Sequence, residues 1–422
     1  MKVLSAKRLL AVVLAFVSFA AHAIEDQFLP LSQAIQLGLE RNPALAAADA
    51  TAIAVAEQVP QVGGLPDPRL SIGLANLPTG SFSVDEDPMS QIQIGISQAL
   101  PYPGKLALQE GAAEQRAQAA AHGSSDLRLQ LVRKIKTHWW QLFYYDRALE
   151  ANVSNKTLFQ QQYETAQTLY TVGQGQQQDV LLIQLELARL DEDTLRLHQM
   201  REQAVIQLNA LLDQAPLTPI QLPAQRKASL SQLPDIEQLQ ASAQMNRPDL
   251  HARLAQVNAA RAMRDLSERD QYPDFSVGAV YGRRDGRDDL ASIQFSMSLP
   301  LYASRKQSKA EDQRRAELIA AQQQLREAQS QAAAQVAAAI TRYRLARDRV
   351  RLFDDSILPH ARQTVEALLA GYQVNKVDFF KLVKAQTSLH DYETQYWQAY
   401  SDAQQALAEL AAAVGKEGGI GE

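Results

Sequence analysis

The sequence predicts a mainly α-helical fold with four β-strands, built from two copies of one plan. Three observations support this prediction. Similar short motifs recur in the two halves of the 422-residue chain, two very long stretches favour helix, and four short segments alternate apolar with small or polar residues. The order in each half is helix, strand, strand, long helix, shorter helix.

The N-terminus has the pattern of a secretory signal peptide. Basic residues precede an apolar run from Leu9 to Phe19, and Ala21-His22-Ala23 supplies the small residues that signal peptidase requires. The run is too short for a transmembrane helix, which needs roughly 20 apolar residues. We therefore expect residues 1–23 to be removed and the mature chain to begin at Ile24.

The composition argues against several function classes. The chain contains no cysteine, which excludes disulfides, thiolate metal sites and a lipid-modified N-terminal cysteine. Its formal net charge is -5, which argues against nucleic acid as a partner. The sequence shows no phosphate-binding loop, nucleophile elbow or histidine pair at helical spacing. We therefore expect no catalytic residues, no metal site and no cofactor, and we expect that the protein is not an enzyme.

The repeat is visible in matching motifs. Asn42-Pro43-Ala44-Leu45 returns as Arg247-Pro248-Asp249-Leu250, and Leu65-Pro66-Asp67 returns as Tyr272-Pro273-Asp274. Closely spaced prolines separate the halves, because such a segment cannot form one helix. The predicted divisions are a signal peptide at 1–23, a first repeat at 24–216, a proline-rich linker at 217–233, a second repeat at 234–415 and a tail at 416–422.

The four predicted strands are apolar on one face. Their large residues alternate with small or polar ones, as expected of strands that differ between their two faces. A lipid-facing barrel around a wet lumen produces this alternation, and so does a soluble sandwich. The apolar positions are Leu70, Ile72, Leu74, Ile92, Ile94 and Ile96 in the first repeat, and Phe275, Val277, Ala279, Tyr281, Ile293, Phe295, Met297 and Leu299 in the second.

The helices after the strands favour the membrane interpretation. The stretches from Lys105 to about Leu169 and from Arg305 to about Ala370 would each extend roughly 100 Å at 1.5 Å per residue, which is longer than a globular core. The return helices, from Asp179 and from Asp378, are about half as long. We expect the helices before the strands to supply the missing length, so that each repeat forms a long helical column.

Four strands are too few to close a barrel. An open sheet edge cannot lie in lipid, where its backbone groups find no water. Three copies would supply twelve strands, and cyclic symmetry would arrange the helices as a tube. We expect a homotrimer with a 12-stranded barrel in outer-membrane lipid and an α-helical periplasmic tunnel. Pro101 and Pro300 stand at the two predicted strand–helix junctions.

With this plan, the mature chain resembles the TolC family of outer-membrane efflux proteins. The motif Tyr170-x-x-Gly173 leads to Asp179-Val180-Leu181, and its second copy, Tyr372-x-x-Asn375, leads to Asp378-Phe379. The resemblance implies a trimeric outer-membrane tunnel, a periplasmic adaptor (membrane fusion protein) docked on the helical tip, and an inner-membrane pump that supplies the energy.

Further motifs resemble the heavy-metal (CzcC/CusC-like) branch of the family. They are Leu65-Pro66-Asp67-Pro68, Asp87-Pro88-Met89 and Pro101-Tyr102-Pro103-Gly104-Lys105. This resemblance implies a passive exit duct for heavy-metal cations that works with an RND pump. Channels for drug efflux or type I protein secretion share the same fold, and a periplasmic coiled-coil adaptor would also contain long hairpins. These alternatives stay open at the level of sequence.

The turns between long and return helices hold the candidate site. Gly173 suits the left-handed conformation that ends many helices, and Asn375 is the next-best residue there. Asp179 and Asp378 stand where an N-cap would accept hydrogen bonds from the first amides of the return helix. In a trimer the same carboxylates would form a ring able to bind cations and constrict the tunnel.

The family resemblance favours a gate at these turns. It implies a Tyr and Asp pair at Tyr372 and Asp378, with Asp179 as the partner from the other turn. The second turn contains no arginine, and Lys381 stands where the family has a further aspartate. Lys376 is then the candidate basic partner.

Overall fold

A computed structural model describes residues 28–223, 230, 232–374 and 376–418. The expected signal peptide lies outside the described residues, as do residues 224–229 and 231 of the linker, Asn375, and residues 419–422 of the tail. The described residues form a mainly helical chain with one small antiparallel sheet, which confirms the predicted fold class.

The first repeat begins with helices that prolines interrupt. Asn42 separates the first two helices, and its side-chain oxygen accepts the N–H groups of Ala44 and Leu45 at 3.1 and 3.2 Å. Pro43 follows at the first helical position, where its missing N–H costs nothing. The elements are α1 (Leu31–Arg41), α2 (Pro43–Ala56), α3 (Gln58–Gly63), β1 (Arg69–Ala75), β2 (Gln91–Leu100), α4 (Lys105–Thr171) and α5 (Gln177–Leu211).

The second repeat has the same order, with one irregularity. The continuous helix expected from Arg305 to Ala370 contains a π-helical segment, Phe353–Ile357, directly before Pro359. Proline has no N–H and its ring crowds the carbonyl four residues earlier, so a widened turn accommodates it. The elements are α6 (Ile236–Asn246), α7 (Pro248–Arg269), β3 (Phe275–Arg283), β4 (Leu290–Met297), α8 (Gln307–Leu352), α9 (Leu358–Gln373) and α10 (Phe379–Val414).

The four strands form one sheet in the order β1-β2-β3-β4, with every neighbouring pair antiparallel. The two predicted hairpins are therefore joined, because β2 of the first repeat pairs with β3 of the second. In this register Ile94 lies opposite both Ile72 and Tyr281, and Ala279 lies opposite Ile293. The pairing places the predicted apolar positions of all four strands on one face.

The described chain divides into two compact units, each built from segments of both repeats. The first unit comprises the described part of Met1–Glu40 with His138–Leu230 and Ala361–Trp397. Trp139 is fully buried there, and its Nε1–H donates to the carbonyl of Leu29 at 3.0 Å. Its ring packs against neighbouring aromatic rings, so these aromatics serve helix packing.

The second unit contains the sheet. It comprises Arg41–Thr137 and the described parts of Ser231–His360 and Gln398–Glu422. Three of the eight residues in one buried cluster are alanine, whose small side chain lets helix backbones approach closely. The cluster consists of Leu239, Ala243, Val336, Ala339, Ile340, Leu410, Ala413 and Val414.

Candidate functional site

One face of the sheet is apolar from edge to edge and uncovered by the rest of the described chain. Exposure of its side chains reaches 87% at Ile293 and 73% at Ile72. The opposite face carries small and polar residues, such as Gln93, Gly95 and Gln294. Exposed apolar surface of this extent marks an interaction site, and the alternation is that of strands with one face in lipid.

Both outer strands of the sheet have a free edge. Within the described ranges, β1 pairs only with β2, and β4 pairs only with β3. Free edges expose backbone N–H and C=O groups that need partners, most of all in lipid. The sheet is therefore ready to add strands on both sides. None of the helices in the described ranges is both long and apolar enough to cross a membrane.

The junction between β2 and α4 is built around Lys105. This lysine is only 5% exposed. Its Nζ lies 3.1 Å from Oδ1 of Asp270 and 3.0 Å from Oδ1 of Asp274, and it donates to the carbonyl of Tyr272 at 3.3 Å. Three acceptors thus surround one buried ammonium, which ties the start of α4 to the connection between α7 and β3.

Each junction proline lies between a strand and the helix that follows it. Pro101 directly follows β2, and Pro300 lies three residues beyond the end of β4. After Pro101, the N–H of Tyr102 donates to Asp274 at 2.8 Å, and the Tyr102 ring stacks on Tyr272 at 4.6 Å. No local pattern of residues predicts this contact between the repeats, although Tyr102 and Tyr272 both lie in motifs that are visible in the sequence.

The turn after α4 has the geometry that the sequence predicted for Gly173. Its φ is +76°, which glycine adopts without strain. The N–H of Gly173 donates to the carbonyl of Tyr170 at 3.0 Å, and that of Gln174 donates to Leu169 at 2.8 Å. These two bonds form a Schellman motif, which satisfies the last carbonyls of the helix. Asn375, the predicted counterpart, lies outside the described residues.

The two candidate aspartates differ in their positions at the helix starts. Asp378 is the predicted N-cap of α10, and its carboxylate accepts the N–H of Phe380 at 2.7 Å. The N-cap prediction was wrong for Asp179, because α5 begins two residues earlier and Gln176 is its N-cap. Asp179 lies in the first turn of this helix instead.

Within the first unit, the two turns place Asp179, Asp378 and Tyr372 near one another. Burial and the neighbouring Asp378 raise the pKa of Asp179, against the opposing hydrogen bond from Gln176. Burial and the nearby Asp179 likewise raise the pKa of Tyr372. The ring of Tyr372 also lies 5.0 Å from that of Phe379. The partly buried carboxyl group of Asp179 and phenol of Tyr372 therefore lie near the exposed Asp378.

Lys376, the candidate basic partner, lies on the second turn but outside this group. Its backbone N–H donates to the carbonyl of Gly371 at 2.9 Å, and the residue is exposed. Its ammonium makes no ion pair with any residue that the structure describes. Likewise, no set of three or more His, Asp or Glu side chains in the described ranges is arranged to hold a metal ion.

A buried core supports both turns. Residues from α4, α5 and α10 pack together directly behind them, and Tyr372 packs against this core. The core keeps the aspartates on one rigid base, so their spacing does not depend on the turns alone. Its members are Phe159, Ala166, Ile183, Leu190, Phe379, Leu382 and Val383.

Comparison with known protein sequences finds one family that matches part of the chain. A family model described as "Outer membrane efflux protein" matches residues 239–416, within the second repeat. No curated protein sequence matches the chain.

Several solved structures of channel proteins have the same fold. The outer-membrane channel OprN has a TM-score of 0.77 at 20% identity, covering 91% of this chain and 89% of its own. VceC of Vibrio cholerae has a TM-score of 0.79 at 18% identity, and the match covers 92% of this chain and 96% of VceC. CusC, described as forming a transmembrane channel, has a TM-score of 0.78 at 15% identity, covering 92% of each. Nearly the whole chain therefore has the fold of outer-membrane channels, and its second half matches the outer membrane efflux protein family.

Proposed function

We propose that this chain is one protomer of a homotrimeric outer-membrane channel. The observation that carries this proposal is a four-stranded sheet with one exposed apolar face and two free edges. If β4 of each copy pairs with β1 of the next, three copies close a barrel of twelve strands and no edge remains in lipid. The apolar face then contacts lipid, and the polar face lines the lumen.

The channel is the passive exit duct of a tripartite efflux system. Its helices form a tunnel in the periplasm, and a periplasmic adaptor connects them to an inner-membrane RND pump. The family match in the second repeat and the likeness to OprN support this role. In this arrangement the pump supplies the energy, and the duct provides a passive path across the outer membrane and catalyses no reaction.

Heavy-metal cations are the cargo that we propose. Support comes from the motifs Leu65-Pro66-Asp67-Pro68 and Pro101-Tyr102-Pro103-Gly104-Lys105, which resemble the heavy-metal branch. The second motif contains the buried Lys105 of the strand–helix junction. Selection among metals would then belong to the pump, since a wide duct discriminates little.

Deleting the gene is expected to sensitise cells to metals. Growth inhibition by copper, silver, zinc, cobalt and cadmium is measured beside a panel of drugs, with and without the restored gene. We expect a severalfold lower tolerance for one or more metals, and complementation should restore it. Sensitivity to drugs alone would contradict the metal cargo while leaving the duct intact. Loss of a secreted protein from the medium would indicate a secretion channel, and soluble monomers in the periplasm would indicate an adaptor.

We further propose that Asp179, Tyr372 and Asp378 constrict the periplasmic mouth of the tunnel, with Lys376 as the basic partner. Threefold repetition of two carboxylates near one axis creates a negative ring, which attracts and binds cations. Burial is the main cause of the raised pKa of Asp179, and the nearby charge of Asp378 raises it further within one copy. A bound cation would relieve the repulsion between the two carboxylates.

Replacing both carboxylates is expected to weaken cation binding at this mouth. Asp179→Asn with Asp378→Asn removes the charges but keeps the shape, and Asn is an equally good N-cap. In planar bilayers, block by divalent cations from the periplasmic side should weaken about tenfold or more, as for the loss of over 1.4 kcal/mol. Asp213→Asn, beyond the end of α5, is the matched control. Unchanged block in the double variant would contradict the gate.

The same site is expected to respond to pH. An acid with a raised pKa binds its proton at a higher pH than usual, so Asp179 loses its charge before ordinary carboxyl groups do as the pH falls. As the pH falls, cation block should therefore begin to weaken before the pH reaches about 4, the ordinary pKa of aspartate. This early part of the pH dependence should be absent from the Asp179→Asn channel.

A further inference from the structure

A pocket lies beside the start of β1, in the second unit. Its volume is about 590 Å³, and the helix α3 with the loop after it, the junction after β2 and the helices α4 and α7 form its walls. The lining is mixed, because apolar side chains share it with Asp67, Arg116 and three glutamines. Leu65 is 56% exposed on its wall. The apolar side chains that the argument uses are Val62, Leu65, Pro66, Leu106, Met263 and Leu266.

A pair of large apolar side chains lies uncovered just after β4. Leu301 is 80% exposed and Tyr302 is 75% exposed. A hydrogen-bonded turn holds them in place, because the carbonyl of Tyr302 accepts the N–H groups of both Arg305 and Lys306 at 3.0 Å. The pair is thus presented outward on a folded turn and not on a loose segment.

The sheet topology puts the pocket and the pair at the same end of the sheet, on opposite edges. Arg69 at the start of β1 pairs with Ser97, which pairs with Gly278, and Gly278 pairs with Gln294 near the end of β4. When β4 of one copy pairs antiparallel with β1 of another, the segment after β4 must come next to the segment before β1.

We propose that Leu301 and Tyr302 of one copy fill the pocket beside β1 of the next copy. This inference rests on the trimer proposed above. This contact would bury the exposed pair and the open pocket against each other. It would also extend the strand pairing between copies into the junction next to the barrel.

Cysteine cross-linking tests the contact in a favourable background, since the chain has no cysteine of its own. Leu65→Cys is combined with Leu301→Cys, and the purified channel is treated with a mild oxidant or a short bifunctional maleimide. We expect covalent dimers and trimers on a denaturing gel, and none from either single variant. Leu65→Cys with Leu345→Cys is the matched control, because Leu345 is 64% exposed and lies on α8 away from the junction.

Oligomeric state before cross-linking separates the two levels of the proposal. Trimers that do not cross-link at Leu65 and Leu301, as when a lipid occupies the pocket, would overturn this contact and leave the channel standing. Absence of trimers in the unmodified protein would overturn both.

A second variant covers the case in which cysteines disturb assembly. Leu301→Ser with Tyr302→Ser should lower the temperature at which trimers dissociate in detergent, and Leu345→Ser should not. Equal dissociation temperatures would overturn the contact.

Discussion

Replacing Ile94 with lysine is expected to abolish assembly in the outer membrane. Ile94 lies in the centre of β2 on the apolar face, between Ile72 and Tyr281, and is 50% exposed. A lysine on the lipid face near the middle of the bilayer costs about 2–4 kcal/mol. A trimer carries the substitution three times, so the total is comparable to the whole stability of many domains. The measurement is the yield of heat-resistant trimers in the outer-membrane fraction.

Gln93→Lys is the matched control for this prediction. Gln93 precedes Ile94 on the same strand, so its side chain lies on the opposite, polar face. A lysine there would meet the water of the lumen, and trimers should form at close to the normal yield. Equal yields from the Ile94→Lys and Gln93→Lys proteins would contradict the assignment of the apolar face to lipid.

Replacing Lys105 with methionine is expected to destabilise the strand–helix junction. Methionine keeps much of the side-chain volume but leaves Asp270 and Asp274 without the ammonium between them. Removing one partner of a fully buried ion pair costs about 3–5 kcal/mol. We expect a smaller loss here, because the side chains of both aspartates are about half exposed and water can solvate them. We expect lower thermal stability and faster proteolysis at the junction. Circular dichroism should show an unchanged helix content.

Lys309→Met provides the control for Lys105→Met. Lys309 also forms an ion pair, with Asp312 at 2.8 Å, but its side chain is 70% exposed. Exposed pairs of this kind contribute at most about 1 kcal/mol and often much less. If the two variants unfold alike, the buried pair at the junction has no special role in stability.

The strands and the ends of the helices could be predicted because their signals are local. The alternation at Ile92, Ile94 and Ile96 has a period of two, which is a property of one strand and needs no knowledge of its neighbours. Gly173 was identifiable because few residues tolerate a positive φ at a helix end. The N-cap prediction for Asp179 failed because several adjacent polar residues can begin the same helix, and Gln176 does so.

The two repeats, the four strands, the apolar face and the long helices can be read from the sequence alone, since each follows from periodicity within a short segment. Three contacts are visible only in the folded molecule: β2 pairs with β3, Lys105 lies between Asp270 and Asp274, and Asp179 lies near Asp378 and Tyr372. These contacts join residues far apart in the chain. Their geometry depends on how whole elements pack, and no local pattern of residues records that packing.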